Sequence, residues 1–468
     1  MQRSLAQSAR FAGAPPPTRP GVGAETLAQA VPGAAAPQAA EHYWQIEKDS
    51  IVRRFAYFMA LAYIFIRLSM IHEIAAFRFG FRTFLPWLAG GPAILAMILS
   101  GGLRRTFRHA PAFFWTAFAA WLVIATPFSF WKGESIKILQ MYFKSEFPML
   151  FLAAGLAVDW KEYRRILYVI AAAAMVNLVV WRAFTEIRGG RLWLEFGSVA
   201  NPGDFAAHLL MILPLLLWVI LAGSFSWLAR LALLLPLAGG CYMVFSTGSR
   251  GGFVALLASM LFMLLKAPFR IRLGIAFAAP VLALAVLHLA PQYAVQRQLS
   301  LFADEEDVSA PELSEARGSR ETRVRLLKDS LRYTLEHPLF GVGPGEFADY
   351  RGTVNQVRGL WQVTHNTYTQ VSSEAGIPAF VFFMGALFTT YRLLSKLYKR
   401  TRRDKRLRQI SYAALCLMLS LVGFSVSIFF LTLAYGHSLL LISGLAISLA
   451  AVAEREIRAL PTAPSNAG

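Results

Sequence analysis

The sequence predicts an all-α polytopic membrane protein, with about twelve transmembrane helices and one large, partly helical loop on the non-cytoplasmic side. Three observations carry this. Hydrophobic residues make up 56% of the 468, and the mean hydropathy is +0.49, more than a soluble domain sustains while covering its surface with polar groups. The apolar residues fall in blocks long enough to cross a hydrocarbon core of roughly 30 Å, which takes about 20 helical residues. Almost every second connector between blocks is rich in Arg and Lys, the alternation that cytoplasmic loops impose.

Residues 1–50 are rich in Ala, Pro and Gly, as in Pro15-Pro16-Pro17, and read as a disordered cytoplasmic tail. Hydrophobic blocks follow at approximately 53–71, 84–100, 111–128, 138–158, 164–184, 204–223, 226–246, 250–266 and 271–290, so 51–290 holds the first nine spans. The polar interval 291–374 is the external loop. Blocks at about 375–394, 410–432 and 435–453 supply three more spans within 375–453, and 454–468 forms a second cytoplasmic tail.

The net charge of +19 raises the question of a nucleic-acid partner. Its placement answers it. Arg104-Arg105 with Arg108, Lys161 with Arg164-Arg165, Lys266 with Arg270 and Arg272, and the dense run from Arg392 to Arg408 all sit in inside connectors. Membrane lipids, and not nucleic acid, are the expected partners of that charge. Cys241 and Cys416 fall inside apolar blocks, which excludes a disulfide framework. Asp304-Glu305-Glu306-Asp307 lacks the spacing of a calcium loop, so neither metal nor cofactor is expected.

Within the loop, Ser319 is positioned to cap a helix that carries Val324, Leu327, Leu331 and Leu335 on one face, expected to pack on the membrane domain. Arg320, Arg323, Arg325, Lys328 and Arg332 lie elsewhere on that helix. Pro338 stops it, and Gly341-Val342-Gly343-Pro344-Gly345 makes a tight turn with neither the Lys-Ser/Thr of a P-loop nor a strand–helix context.

Three external features run against the positive-inside trend. Ser246-Thr247-Gly248-Ser249-Arg250-Gly251-Gly252 opens the eighth span, placing Arg250 at a helix N-terminus that favours anions; a snorkelling interfacial arginine is the plainer reading. His365-Asn366-Thr367-Tyr368 precedes the tenth span. His365 has the chemistry of a general base near neutral pH, and Asn366 that of an orienting group or a sugar-hydroxyl ligand; an ordinary interfacial histidine is the alternative. Arg188-Gly189-Gly190-Arg191 precedes Asn201-Pro202-Gly203-Asp204 at the sixth span, with a solvated turn as its alternative. Together they meet the needs of glycan transfer from a lipid diphosphate: a base for the acceptor hydroxyl and cations for the departing diphosphate, with no metal required.

Ser249-Arg250-Gly251, the segment from His337 to Gly343, and His365-Asn366 with Gly376 resemble the O-antigen ligase and polymerase superfamily, over about residues 185–390. The resemblance implies a GT-C-like membrane glycosyltransferase fold. It also implies action on polyprenyl-diphosphate-linked glycans at the periplasmic face of a bacterial inner membrane. On that reading Arg250 binds the donor diphosphate, His365 activates the acceptor, and Arg191, or else Arg188, is the second diphosphate cation. Ser249, Asn366, Tyr368, Arg323 and Arg325 are the further substrate-binding candidates. Inverting, metal-independent ligation of O-antigen to lipid A-core is the leading expectation. Polymerisation of repeat units and protein O-glycosylation are alternatives inside the superfamily, and a transporter or flippase is the alternative from another class. Arg67, Asn177 and His208, the main polar residues within the spans, form no relay evident from sequence, which favours the enzyme.

Overall fold

The computed structural model describes residues 50–460 except 81–82, 189–190, 195, 300–309 and 357–360. Most of the N-terminal tail, the last eight residues, the acidic run at 304–307, and Gly189 and Gly190 therefore lie outside the described residues.

Helices α1 (Ile51–Ser69) and α2 (Ile71–Phe79) meet at a 61° bend, where Met70 takes a left-handed φ of 59°. Next come α3 (Leu85–Leu99), α4 (Gly102–Thr106), α5 (Ala110–Ala125) and α6 (Lys132–Met141). A π-helical turn, Tyr142–Glu146, carries α6 into α7 (Pro148–Gly155), and α8 (Trp160–Phe184) follows. The stretch after α8 is not a plain loop. Strands β1 (Thr185–Arg188) and β2 (Arg191–Leu194) pair antiparallel with Arg188 opposite Arg191, and are the only strands among the described residues. Asn201 then caps α9 (Pro202–Ala222) by accepting from the Gly203 N–H at 2.8 Å, with Pro202 at the first helical position where its missing N–H costs nothing. The remaining helices up to the external loop are α10 (Trp227–Ala232), α11 (Leu234–Ser246), α12 (Arg250–Lys266) and α13 (Phe269–Leu289). The loop contributes α14 (Gln292–Leu299), α15 (Ala310–Glu336) and α16 (Phe347–Asn355), and the chain ends with α17 (Thr367–Thr401), α18 (Arg408–Ser427) and α19 (Ser438–Arg458).

Among the described residues, eight helical stretches are long and apolar enough to cross a membrane, nine when the bent pair α1–α2 counts as one. The chain is a multi-pass, helical membrane protein. Its centre is α9, α18 and α19, whose apolar windows are 83%, 72% and 78% buried, against 6% for α13 at the periphery. An apolar helix left that bare is stable only against lipid. Small polar groups join the central helices: Trp115 Nε1 donates to Ser443 Oγ at 2.8 Å, Thr390 Oγ1 lies 2.9 Å from the same oxygen, and Tyr163 Oη donates to the Leu445 carbonyl. Such bonds contribute about 0.6 kcal/mol each inside a bilayer, so they fix register more than they add stability.

The polar residues singled out within the spans fall into two networks. Asn177 Nδ2 donates to the Leu68 carbonyl at 2.7 Å and lies 2.9 Å from His208 Nε2. Arg67 donates to Glu146 Oε1 at 2.7 Å and lies 3.0 Å from His437 Nδ1. Both networks sit beside the α1–α2 bend, whose released carbonyls need donors.

The external loop is fastened to a break in α17. Gly376 (φ 82°) is non-helical, and the freed backbone pairs with the turn after α15: Val342 N–H with Ser373 O at 2.8 Å, Gly343 N–H with Glu374 O at 2.9 Å, and Ile377 N–H with Pro338 O at 2.8 Å. A Cβ on Gly376 would collide with the Leu339 carbonyl, so only glycine permits this approach. The face of α15 that packs also differs from the expected leucine stripe. Val324, Leu331 and Leu335 are exposed, whereas Leu326, Ser330, Tyr333 and Thr334 are buried. Leu326 and Tyr333 join Val342 and Phe347 in a small core, and Thr334 Oγ1 lies 2.8 Å from Ser372 Oγ on α17. Ser319 lies inside α15 and not at its start, so it is not the cap.

Candidate active site

Six segments converge on one cavity of about 370 Å3: β2, the turn into α12, α14, α15, the residues before α17, and the turn after α18. It lies within the usual volume range of ligand pockets, roughly 300–1,000 Å3.

The turn into α12 is built by Ser249, whose Oγ accepts from the Gly252 N–H at 3.2 Å and caps the helix. Arg250 is thereby the first helical residue, beside the free N–H groups of the first turn. Gly251 lets this start press against Phe430, which a Cβ would meet at 2.8 Å. From α14, Gln298 Nε2 donates to the Ser249 carbonyl at 3.5 Å and Tyr293 Oη to the Ser246 carbonyl at 3.3 Å, so α14 braces the turn and places Arg297 in the wall.

Before α17, Asn366 Oδ1 accepts from the N–H groups of Tyr368 (2.9 Å) and Thr369 (3.2 Å), making Asn366 the helix cap. His365, one residue earlier, has a left-handed φ of 50°, which for a side chain of this size costs about 1–2 kcal/mol. The conformation is held from both sides: by the Asn366 cap and by the Thr432 Oγ1, which accepts the His365 N–H at 3.0 Å. Its ring makes no hydrogen bond to any described residue and lines the cavity.

Sequence reasoning and geometry meet in part. Arg191, Ser249, Arg250, Arg323, His365 and Asn366 all line this one cavity. Arg325, exposed on α15, does not line it. Neither does Tyr368, whose hydroxyl donates to the Ser425 carbonyl within the helix bundle at 2.8 Å. The Arg188 side chain lies outside what the structure describes. Arg297 and Arg320, not singled out from sequence, also reach the wall, bringing its arginines to five, and no carboxylate is among the described lining residues. Desolvation, and then the neighbouring Arg297 charge, lower the pKa of Arg323. Burial, and then Arg323, hold His365 below the ordinary histidine value, which keeps its imidazole neutral at neutral pH.

The cavity thus brings one histidine together with five guanidiniums. Residues 231–384 match the family model of the O-antigen ligase. Over that segment, about a third of its length, the chain is similar to the O-antigen ligase family. The matched O-antigen ligase segment holds Ser249, Arg250, Arg297, Arg320, Arg323, His365 and Asn366, whereas Arg191, Phe429 and Phe430 reach the cavity from outside it. No curated protein matches the chain.

Proposed function

We propose that the protein transfers a glycan from a polyprenyl-diphosphate carrier to an acceptor hydroxyl, and that the reaction is O-antigen ligation to lipid A-core. The observation that carries this reading is the convergence of His365 with Arg191, Arg250, Arg297, Arg320 and Arg323 on one cavity. His365 takes the acceptor proton as the hydroxyl oxygen attacks the anomeric carbon. The bond from that carbon to the diphosphate oxygen breaks with inversion, and the diphosphate leaves into the arginines. Guanidiniums suit this task because they bind phosphate oxygens in bidentate fashion and keep their charge. Neither step calls for a metal.

Twelve spans would require the stretches at 85–99, 132–155 and 250–266 to cross the membrane as well, beside the eight or nine helices that are long and apolar enough among the described residues. On this reading the protein is a GT-C-like membrane glycosyltransferase of a bacterial inner membrane, with the cavity on the periplasmic side. The deciding experiment is a gel of surface polysaccharide from a deletion strain, with the lipid-carrier pool analysed alongside. Long polymer stranded on the carrier with bare core at the surface is the expected outcome. Single repeat units would instead mean a polymerase, and an unchanged pattern would remove both. Complementation with His365→Ala or Arg250→Gln should fail although the variant inserts normally. Losing a general base costs roughly 10²–10⁴-fold and losing one electrostatic donor roughly 10²–10³-fold.

A further inference from the structure

A second cavity, of about 310 Å3, lies between α1, α3 and the π-helical turn joining α6 to α7. Two cations line it, Arg67 and Lys144, and the rest of its wall is mostly apolar. Arg67 is anchored by Glu146 at 2.7 Å, and Glu146 is itself held by His437, through Nδ1 at 2.7 Å and the backbone N–H at 3.0 Å. This leaves the Arg67 Nε buried with no hydrogen-bond partner among the described residues.

Charge balance singles out what is missing. Glu146 neutralises Arg67. Lys144, exposed on the π-helical turn, makes no ion pair with any described residue. The cavity thus carries one surplus positive charge and one buried donor without an acceptor. A lysine facing outward from a membrane helix is costly unless it reaches water or an anion, and π-helical turns concentrate at functional positions. The rim carries Trp87 and Phe143, exposed by 50% and 39%, and α3 continues with the exposed Leu88, Leu95 and Leu99. The mouth therefore opens towards acyl chains. Room inside is left by Gly91, where a Cβ would meet nothing within 4 Å.

We propose that this cavity seats the phosphate of an anionic glycerophospholipid, with Lys144 and the Arg67 Nε as donors and the acyl chains lying along the exposed leucines of α3. One phosphodiester matches the surplus charge. The site is separate from the arginine cavity and does not depend on the reaction proposed for it.

The test uses the full-length protein in nanodiscs of phosphatidylcholine doped with phosphatidylglycerol. After extraction in mild detergent, the lipid that stays bound is identified by native mass spectrometry. The wild type should retain phosphatidylglycerol in preference to phosphatidylcholine. Lys144→Gln removes the charge that makes the hydrogen bond charge-assisted and Gly91→Phe fills the space, and each should lower the retained phosphatidylglycerol by about tenfold, the factor that one charge-assisted hydrogen bond is worth. Both positions have room for the change, and an unaltered melting temperature confirms folding. Arg250→Gln should retain the wild-type complement, which separates this lipid from the first cavity. Wild-type retention in either cavity variant, or equal retention of the two lipids by the wild type, overturns the proposal.

Discussion

Thr432 is the residue through which the candidate base can be disturbed without being touched. Its Oγ1 accepts the His365 N–H at 3.0 Å, across 67 residues of chain, while His365 holds φ at 50°. Thr432→Val keeps the shape and removes the acceptor. The unpaired N–H then costs about 1–3 kcal/mol, and the strained left-handed backbone, worth about 1–2 kcal/mol, gains a reason to relax. If the ring leaves its working position by that margin, transfer slows by about tenfold to a hundredfold, at roughly 1.4 kcal/mol per factor of ten. The assay is steady-state transfer in proteoliposomes with purified donor and acceptor lipids. The loss should fall on kcat with KM little changed, because the arginines are left in place, and Thr432→Ser, which keeps an oxygen, should recover most of the rate. A fully active Thr432→Val alongside an inactive His365→Ala would refute the positioning argument.

The pH dependence follows from His365 being held below its ordinary value of 6.5, by burial first and Arg323 second. A base must be neutral, so kcat/KM should hold its plateau below pH 6.5 and fall only as pH drops through the lowered pKa; Arg323→Gln removes one cause and should move that acid limb upward. An acid limb of the wild type at or above 6.5 would contradict this. Arg297→Gln should reduce transfer roughly 10²-fold, measured in the same proteoliposomes, if the cation braced against the 246–250 turn takes part in holding the diphosphate. Gly376→Ala should destabilise the protein by about 2–4 kcal/mol, through a strained φ and a backbone collision, seen as a lower melting temperature in detergent.

The helical architecture was readable because spans are written in long apolar runs: the block at 204–223 lands on α9 and that at 271–290 on α13. Arg250 and His365 were readable because each sits next to a capping residue, Ser249 or Asn366, that marks where a helix begins. Arg297 and Arg320 were not. Their places in the wall depend on α14 folding back under the α12 turn and on the roll of α15, and neither is encoded in local periodicity. The α15 face was misjudged because only aliphatic residues were counted, whereas the packed face mixes Leu326 and Tyr333 with Ser330 and Thr334. Tyr368 lies close to His365 in sequence, but one helical step turns it towards Ser425. The hairpin 185–194 is short and charged, without the alternation that marks a longer strand.

The pairing of 338–343 with 373–377 uses main-chain atoms almost alone. Apart from the glycines that the close approach requires, the seam makes little demand on side chains, so the outer segment carries its own attachment to α17. A chimera that exchanges 338–377 as a block should keep the spacing between the seam and His365. One that cuts between 345 and 370 would join halves of different lengths, and the arginines of α15 would lose their alignment with the base. Where the chain is cut therefore decides whether His365 keeps its place beside the arginines of α15.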